Sequence, residues 1–135
     1  MASTLISSHR LDALERAMAH APFLSAAAKA FPDLATTFLD EGSEAAVARA
    51  LALDGETVGE RWRRRRHGLA LTVALADLSG ERPLEWVTAT LSDFADAAMD
   101  EALKAAMLDS PQRTIGDGDV ARHVGLEAAC PGERA

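Results

Sequence analysis

The chain is 135 residues long, 48% of its residues are hydrophobic, and its formal net charge is −7. Ala and Leu contribute 29 and 17 residues, whereas Val and Ile together contribute only eight, which is too few to fill several half-buried strands. The composition therefore predicts an all-α helical bundle, argues against a β-sandwich, a barrel or a parallel sheet, and excludes a disordered chain. The acidic balance gives no support to a nucleic-acid partner.

Short helices are predicted throughout residues 8–53. Pro22 and Pro32 are each suited to the first position of a helix, where the missing N–H would have no partner in any case. Gly42 provides a C-terminal stop, and Ser43 can start the next helix. The predicted helices cover residues 8–21, 22–31, 32–41 and 43 to about 51.

A long antiparallel helix hairpin is predicted for residues 55–109. Asp54 can cap a helix over about 55–78, Gly80 ends it, and Pro83 opens a second helix over about 83–109. Because the connecting loop is so short, the two helices are expected to be antiparallel neighbours and to form the core of a helical domain over residues 1–109. The second helix has apolar residues at steps of three and four that predict a buried stripe: Leu84, Val87, Leu91, Phe94, Ala98 and Ala102.

Residues 110–135 are predicted to be a linker or tail, because Gly and Pro interrupt every periodic pattern there. The single cysteine, Cys130, allows no internal disulfide, which favours a reducing compartment. The N-terminus lacks the apolar core of a signal peptide, and no uncharged apolar run is long enough to span a membrane. The expected location is the cytoplasm.

The most conspicuous local feature is the arginine-rich segment, defined here as residues 61–67, with the sequence Arg-Trp-Arg-Arg-Arg-Arg-His. Guanidinium groups bind phosphate oxygens in pairs, so Arg63, Arg64 and Arg66 are candidate contacts for a phosphate or a partner protein, and binding of nucleic acid through residues 61–66 is a weaker alternative. Successive residues of a helix are rotated by about 100°, so at most two of these side chains can point into any one site.

The alternative interpretation of the arginine-rich segment is structural. Asp93, Asp96 and Asp100 lie at steps of three and four residues and present an acidic face beside the apolar stripe. If the hairpin turns near Glu81, Arg66 lies opposite Asp96 and Arg61 lies opposite Glu101. Ion pairing across the hairpin is the favoured role of this face.

No residues form a recognisable catalytic, cofactor-binding or metal-binding constellation. Asp117-Gly118-Asp119 resembles half of a metal-binding loop, but it lacks a downstream carboxylate and is interpreted as a solvated turn. The four histidines do not have the spacing of a zinc site. Trp62 and Trp86 are interpreted as anchors at the edge of the core in preference to a binding cage.

The stretch from Arg61 to Leu103 is similar to the helical N-terminal region of the bifunctional glutamine synthetase adenylyltransferase and adenylyl-removing enzyme. Segments at residues 21–24, 31–34 and 41–42 look like the lead-in helices of that family. The segments that carry the resemblance are the arginine-rich helix running into Leu69–Leu78, the turn Asp77-Leu78-Ser79-Gly80, Glu85-Trp86-Val87-Thr88 and Leu91-Ser92-Asp93-Phe94-Ala95-Asp96-Ala97.

The resemblance implies a parent enzyme that adds or removes AMP on a tyrosine of glutamine synthetase under the control of a nitrogen-signalling regulatory protein. In that family the helical region is followed by a nucleotidyltransferase domain that uses Mg²⁺ and ATP, and residues 110–135 would lead to it. The 135 residues alone are therefore expected to be inactive, to need no cofactor, and to serve a structural or partner-binding role. The alternative is a stand-alone helical module for protein interaction.

Overall fold

A computed structural model describes residues 2–110 of the chain. These residues form six helices and no strand, which confirms the all-α prediction. The helices are α1 (Ala2–His20), α2 (Pro22–Ala30), α3 (Pro32–Glu41), α4 (Ser43–Leu51), α5 (Val58–Leu78) and α6 (Leu84–Asp109). The prediction of a linker at 110–135 falls almost wholly on residues 111–135, outside the described part.

The helix breaks lie where proline and glycine predict them. Pro22 and Pro32 occupy the first turns of α2 and α3. Gly42 (φ +99°) separates α3 from α4, and Gly80 (φ +69°) follows α5, so both positions adopt a backbone conformation that favours glycine.

The first helix begins earlier than predicted, at Ala2, and α5 begins later, at Val58. The cap of α5 is Thr57, whose Oγ1 accepts a hydrogen bond from the Glu60 N–H at 3.1 Å. The predicted cap, Asp54, instead accepts from the adjacent Gly55 N–H at 2.9 Å. Asp54 and Thr57 can both cap a helix and lie three residues apart. The prediction that Asp54 caps α5 is wrong, because Thr57 does so.

The main core lies between α5 and the four shorter helices. Its largest fully buried apolar side chains are Leu34 and Phe38 of α3 and Leu71 and Leu75 of α5. Small alanines fill the remaining space, so the helices approach closely. The prediction that the α5–α6 hairpin forms the core is therefore wrong.

Helix α6 contributes little buried surface. Val87 is the one buried residue of Leu84–Asp109, whereas Leu84 and Leu91 of the predicted stripe are 66% and 43% exposed. Val87 nevertheless joins a second apolar cluster with residues of α4 and α5, and the half-buried Trp86 and Phe94 pack against that cluster. The first half of α6 therefore contacts α4 and α5 through Val87 and two large aromatic side chains.

The chain divides into two compact units, residues 1–98 and 99–135. The described part of the second unit is the C-terminal portion of α6, where Met99, Leu103, Met107 and Leu108 are exposed. Within residues 2–110, no helix combines the length and the apolar character needed to cross a membrane.

Candidate interaction site

The arginine-rich segment lies in the first half of α5, and its side chains take different directions. Arg65 Nε donates to the Leu53 carbonyl oxygen at 2.8 Å, and its guanidinium lies 5.3 Å from the centre of the Trp62 ring. Arg64 lies over the ring of Phe31 instead, at 5.6 Å from its centre. The segment therefore contacts at least two separate neighbourhoods, as the rotation of about 100° per residue requires.

The predicted pairing of Arg66 with Asp96 is not made. Both side chains are exposed, and among the described residues neither takes part in an ion pair. Trp62, in the same segment, packs against Phe94 of α6, at 5.4 Å between ring centres. Arg63 is likewise exposed and is not ion-paired with any described residue.

The three predicted acidic residues have different surroundings. Asp93 lines a cleft beside α5, whereas Asp96 faces solvent. In the second unit, Asp100 Oδ2 lies 3.9 Å from Lys104 Nζ, one turn further along the same helix, and both side chains are more than 70% exposed. Exposed pairs of this kind contribute little to stability.

An open cleft of about 460 Å³ lies between α4, α5 and the first half of α6. We call it the tryptophan cleft, because both tryptophans of the chain line it. Its residues are mainly apolar: Val47, Ala48, Leu51, Trp62, Trp86, Phe94 and Ala97, with Glu44, Arg65, Thr90 and Asp93 as the polar members.

The aromatic walls of the tryptophan cleft are fixed by their neighbours. Arg82 lies over the Trp86 ring at 5.4 Å and also binds Glu44 through a 2.8 Å ion pair. Trp62 packs edge-on against Phe94 and carries Arg65 on its ring. Both tryptophans are half-buried, so each retains exposed aromatic surface. A pre-formed aromatic surface of this kind is typical of protein-binding sites.

The loop that leads into α6 is held by Glu81. Its carboxylate accepts hydrogen bonds from Arg10, from the Ser43 hydroxyl and from the Ser43 N–H at 2.9 Å. Partial burial alone would raise the pKa of Glu81, but the hydrogen bonds from Ser43 and Arg10 and the positive charge of Arg10 together lower it. Glu81 thus remains ionised and fixes the start of the helix that forms one wall of the tryptophan cleft.

Potential metal ligands are scattered over the described surface. No three His, Cys, Asp or Glu side chains within residues 2–110 are placed to hold a metal ion. Asp117-Gly118-Asp119, interpreted from the sequence as a solvated turn, lies outside the described residues.

Several residues of the tryptophan cleft receive no functional interpretation from the sequence. Leu51 and Thr90 appear there as ordinary members of helical patterns, and Glu44 as a first-turn acid. These residues come together only through the packing of α4, α5 and α6, which no local pattern specifies.

A scan against protein-family models gives no match for the chain. Comparisons with curated proteins and with solved structures also match nothing.

Proposed function

We propose that the chain is the helical N-terminal region of an enzyme resembling glutamine synthetase adenylyltransferase/deadenylylase, and that it docks glutamine synthetase without contributing catalytic groups. The tryptophan cleft is the observation that carries the docking role. The resemblance at residues 61–103, which include all three aromatic residues of this cleft, supports the choice of partner. In this role the protein works in the cytoplasm, beside a nucleotidyltransferase domain.

The composition of the tryptophan cleft fits a protein partner. Tryptophan and arginine are enriched among the residues that contribute most to binding energy, and the most important contacts are desolvated when the partner binds. Trp62, Trp86 and Arg65 are all present here, and Leu51 is 37% exposed at the cleft. An apolar side chain of the partner would cover this surface and so remove it from water.

The exposed alanines of α6 provide a matched pair of variants. Ala97 and Ala95 are both exposed on the same helix, but only Ala97 lines the tryptophan cleft. Ala97→Glu would place an unpaired carboxylate beneath a docked partner, whereas Ala95→Glu adds the same charge outside the cleft. We expect Ala97→Glu to weaken binding to purified glutamine synthetase at least tenfold, because covering an unpaired charge is costly.

The test is calorimetric titration of glutamine synthetase with the wild-type chain and with both variants. The proposal requires binding by the wild type and by Ala95→Glu, together with the tenfold loss in Ala97→Glu. An absence of binding by the wild type, or equal losses in the two variants, would contradict it. Binding that is confined to an unrelated partner would favour the stand-alone interaction module.

The non-catalytic part of the proposal has its own assay. The chain alone is incubated with adenylylated glutamine synthetase and inorganic phosphate, the reactants of the deadenylylating reaction that the resemblance implies. We expect no release of ADP and no loss of AMP from the tyrosine. Turnover by the 135-residue chain would show that its own residues supply catalytic groups.

A further inference from the structure

A second groove, of about 220 Å³, lies where α4 and α5 meet the start of α3. Arg49 of α4 and Arg64 of α5 both line it, together with Phe31 and Asp33. We propose that this arginine groove binds a phosphate group through Arg49 and Arg64. The proposal involves none of the residues that line the tryptophan cleft and is independent of the proposed function.

The two guanidinium groups are available for a ligand. Neither Arg49 nor Arg64 donates a hydrogen bond or forms an ion pair to any residue in the described part of the chain, and both side chains are exposed. Other arginines of the same unit have such partners: Arg10 with Glu81, Arg16 with Asp12, Arg82 with Glu44, and Arg65 with the Leu53 carbonyl. Two like charges that share a groove repel one another, and a bound anion would attract both and so offset this repulsion.

The surroundings favour a phosphate group over a simple carboxylate. Phe31 lies under the Arg64 guanidinium and restricts its position, which reduces the entropy that Arg64 loses when it binds a ligand. Asp33 adds one negative charge to the groove without forming an ion pair to either arginine. A monoanion therefore gains little net attraction, whereas a phosphate group with a charge of about −1.5 to −2 and several acceptor oxygens can bind two guanidinium forks.

The groove has room for more than the phosphate itself. Its volume of about 220 Å³ is several times the ~30 Å³ that a water molecule occupies in the liquid. The Phe31 ring is half-buried and offers an apolar surface to a group esterified to the phosphate. A small phosphate monoester and inorganic phosphate thus share the chemistry that the groove recognises.

The experiment is calorimetric titration at low ionic strength with inorganic phosphate, phenyl phosphate and phenol. We expect both phosphates to bind and phenol not to bind. Tighter binding of phenyl phosphate would identify the physiological ligand class as esters, and tighter binding of inorganic phosphate would identify it as the free anion. Failure of both phosphates to bind would overturn the proposal.

Variants separate a defined site from general electrostatic attraction. Arg49→Gln and Arg64→Gln should each weaken phosphate binding at least tenfold, while Arg63→Gln, which removes an exposed charge that does not line the groove, should change it less than twofold. Asp33→Asn should tighten phosphate binding, since it removes a negative charge that repels the phosphate. Equal losses in Arg63→Gln and Arg64→Gln would refute the site.

The controls keep this proposal distinct from the proposed function. Circular dichroism spectra and melting temperatures of all variants establish that they remain folded, which their exposed positions lead us to expect. Ala97→Glu should leave phosphate affinity unchanged. A parallel loss of phosphate binding in Ala97→Glu would show that Arg49 and Arg64 do not define the site.

Discussion

Glu81, in the loop between α5 and α6, accepts hydrogen bonds from both the hydroxyl and the N–H of Ser43, the first residue of α4. Arg10 of α1 donates to the same carboxylate and also to the Leu39 carbonyl at 3.2 Å. A single side chain therefore ties α1, the α3–α4 junction and the start of α6 together. Hydrogen bonds to a charged group are stronger than those between neutral groups.

Removing the charge of Glu81 should destabilise the fold. We expect Glu81→Gln to lower the free energy of unfolding by about 1–3 kcal/mol, because the Arg10 and Ser43 donors lose a charged acceptor in a partly buried site. Urea denaturation measures this change. Glu15→Gln, at an exposed position of α1, is the control and should change stability by less than about 0.5 kcal/mol. Equal effects in the two variants would contradict the role of Glu81.

The same carboxylate predicts a pH dependence. The pKa of Glu81 is lowered from its ordinary value of 4.5 in the folded protein, so the stabilisation is fully present above that value and is lost as the pH falls through the lower folded pKa. The unfolding free energy of the wild type should therefore decrease more steeply below about pH 4.5 than that of Glu81→Gln. Denaturation curves collected from about pH 6 to about pH 3 test this expectation, and parallel profiles for the two proteins would refute it.

The close approach of α4 and α5 depends on Gly68. A Cβ atom at this position would lie 2.8 Å from Leu53 Cδ1, 2.9 Å from Leu34 Cδ1 and 3.3 Å from Ala50 Cβ. We expect Gly68→Ala to lose about 1–3 kcal/mol of stability through overpacking, although alanine is the better helix former by about 1 kcal/mol.

Gly59 is the matched control for this effect, since it lies in the same helix and a Cβ atom added there would meet nothing within 4 Å. Gly59→Ala should leave stability unchanged or raise it by up to about 1 kcal/mol. Thermal or urea denaturation should therefore show a loss for Gly68→Ala and no loss for Gly59→Ala. Stabilisation by Gly68→Ala would show that α4 and α5 can move apart at little cost.

Substitutions of Arg65 and Arg66, two neighbours in the arginine-rich segment, should differ in their effect on the free energy of unfolding. Arg65→Gln should cost about 1 kcal/mol, because the Leu53 carbonyl loses its 2.8 Å donor. Arg66→Glu should change stability by less than about 0.5 kcal/mol, because Arg66 is exposed and does not pair with Asp96. The melting temperatures of the two variants measure this difference. A larger decrease in melting temperature for Arg66→Glu than for Arg65→Gln would support the ion-pairing interpretation instead.

The sequence predicts the helices better than it predicts their packing. Pro22, Pro32, Gly42 and Gly80 mark local backbone requirements, so the boundaries near them are correct. The apolar stripe of α6 indicates which face avoids water but not what covers that face. The stripe therefore predicts burial against α5, yet Leu84 and Leu91 are exposed.

Sites made from distant residues are the least accessible to sequence reasoning. Arg64 is a candidate phosphate contact from the sequence alone, but its neighbour in the arginine groove, Arg49, lies on another helix and carries no local signal. The tryptophan cleft likewise depends on how α6 packs beside α4 and α5. That packing depends on the contact of Trp62 with Phe94 and on the hydrogen bonds that Glu81 accepts in the α5–α6 loop. Neither interaction is predicted by a local sequence pattern.

The docking role that we propose for the tryptophan cleft can be tested directly, because Trp62 and Trp86 are the only tryptophans of the chain and both line the cleft. Fluorine NMR of the chain labelled with 5-fluorotryptophan thus reports on this cleft alone. On addition of unlabelled glutamine synthetase, we predict that both resonances shift or broaden, and that addition of buffer alone leaves them unchanged. Two resonances that stay unperturbed at a saturating concentration of glutamine synthetase would contradict the account.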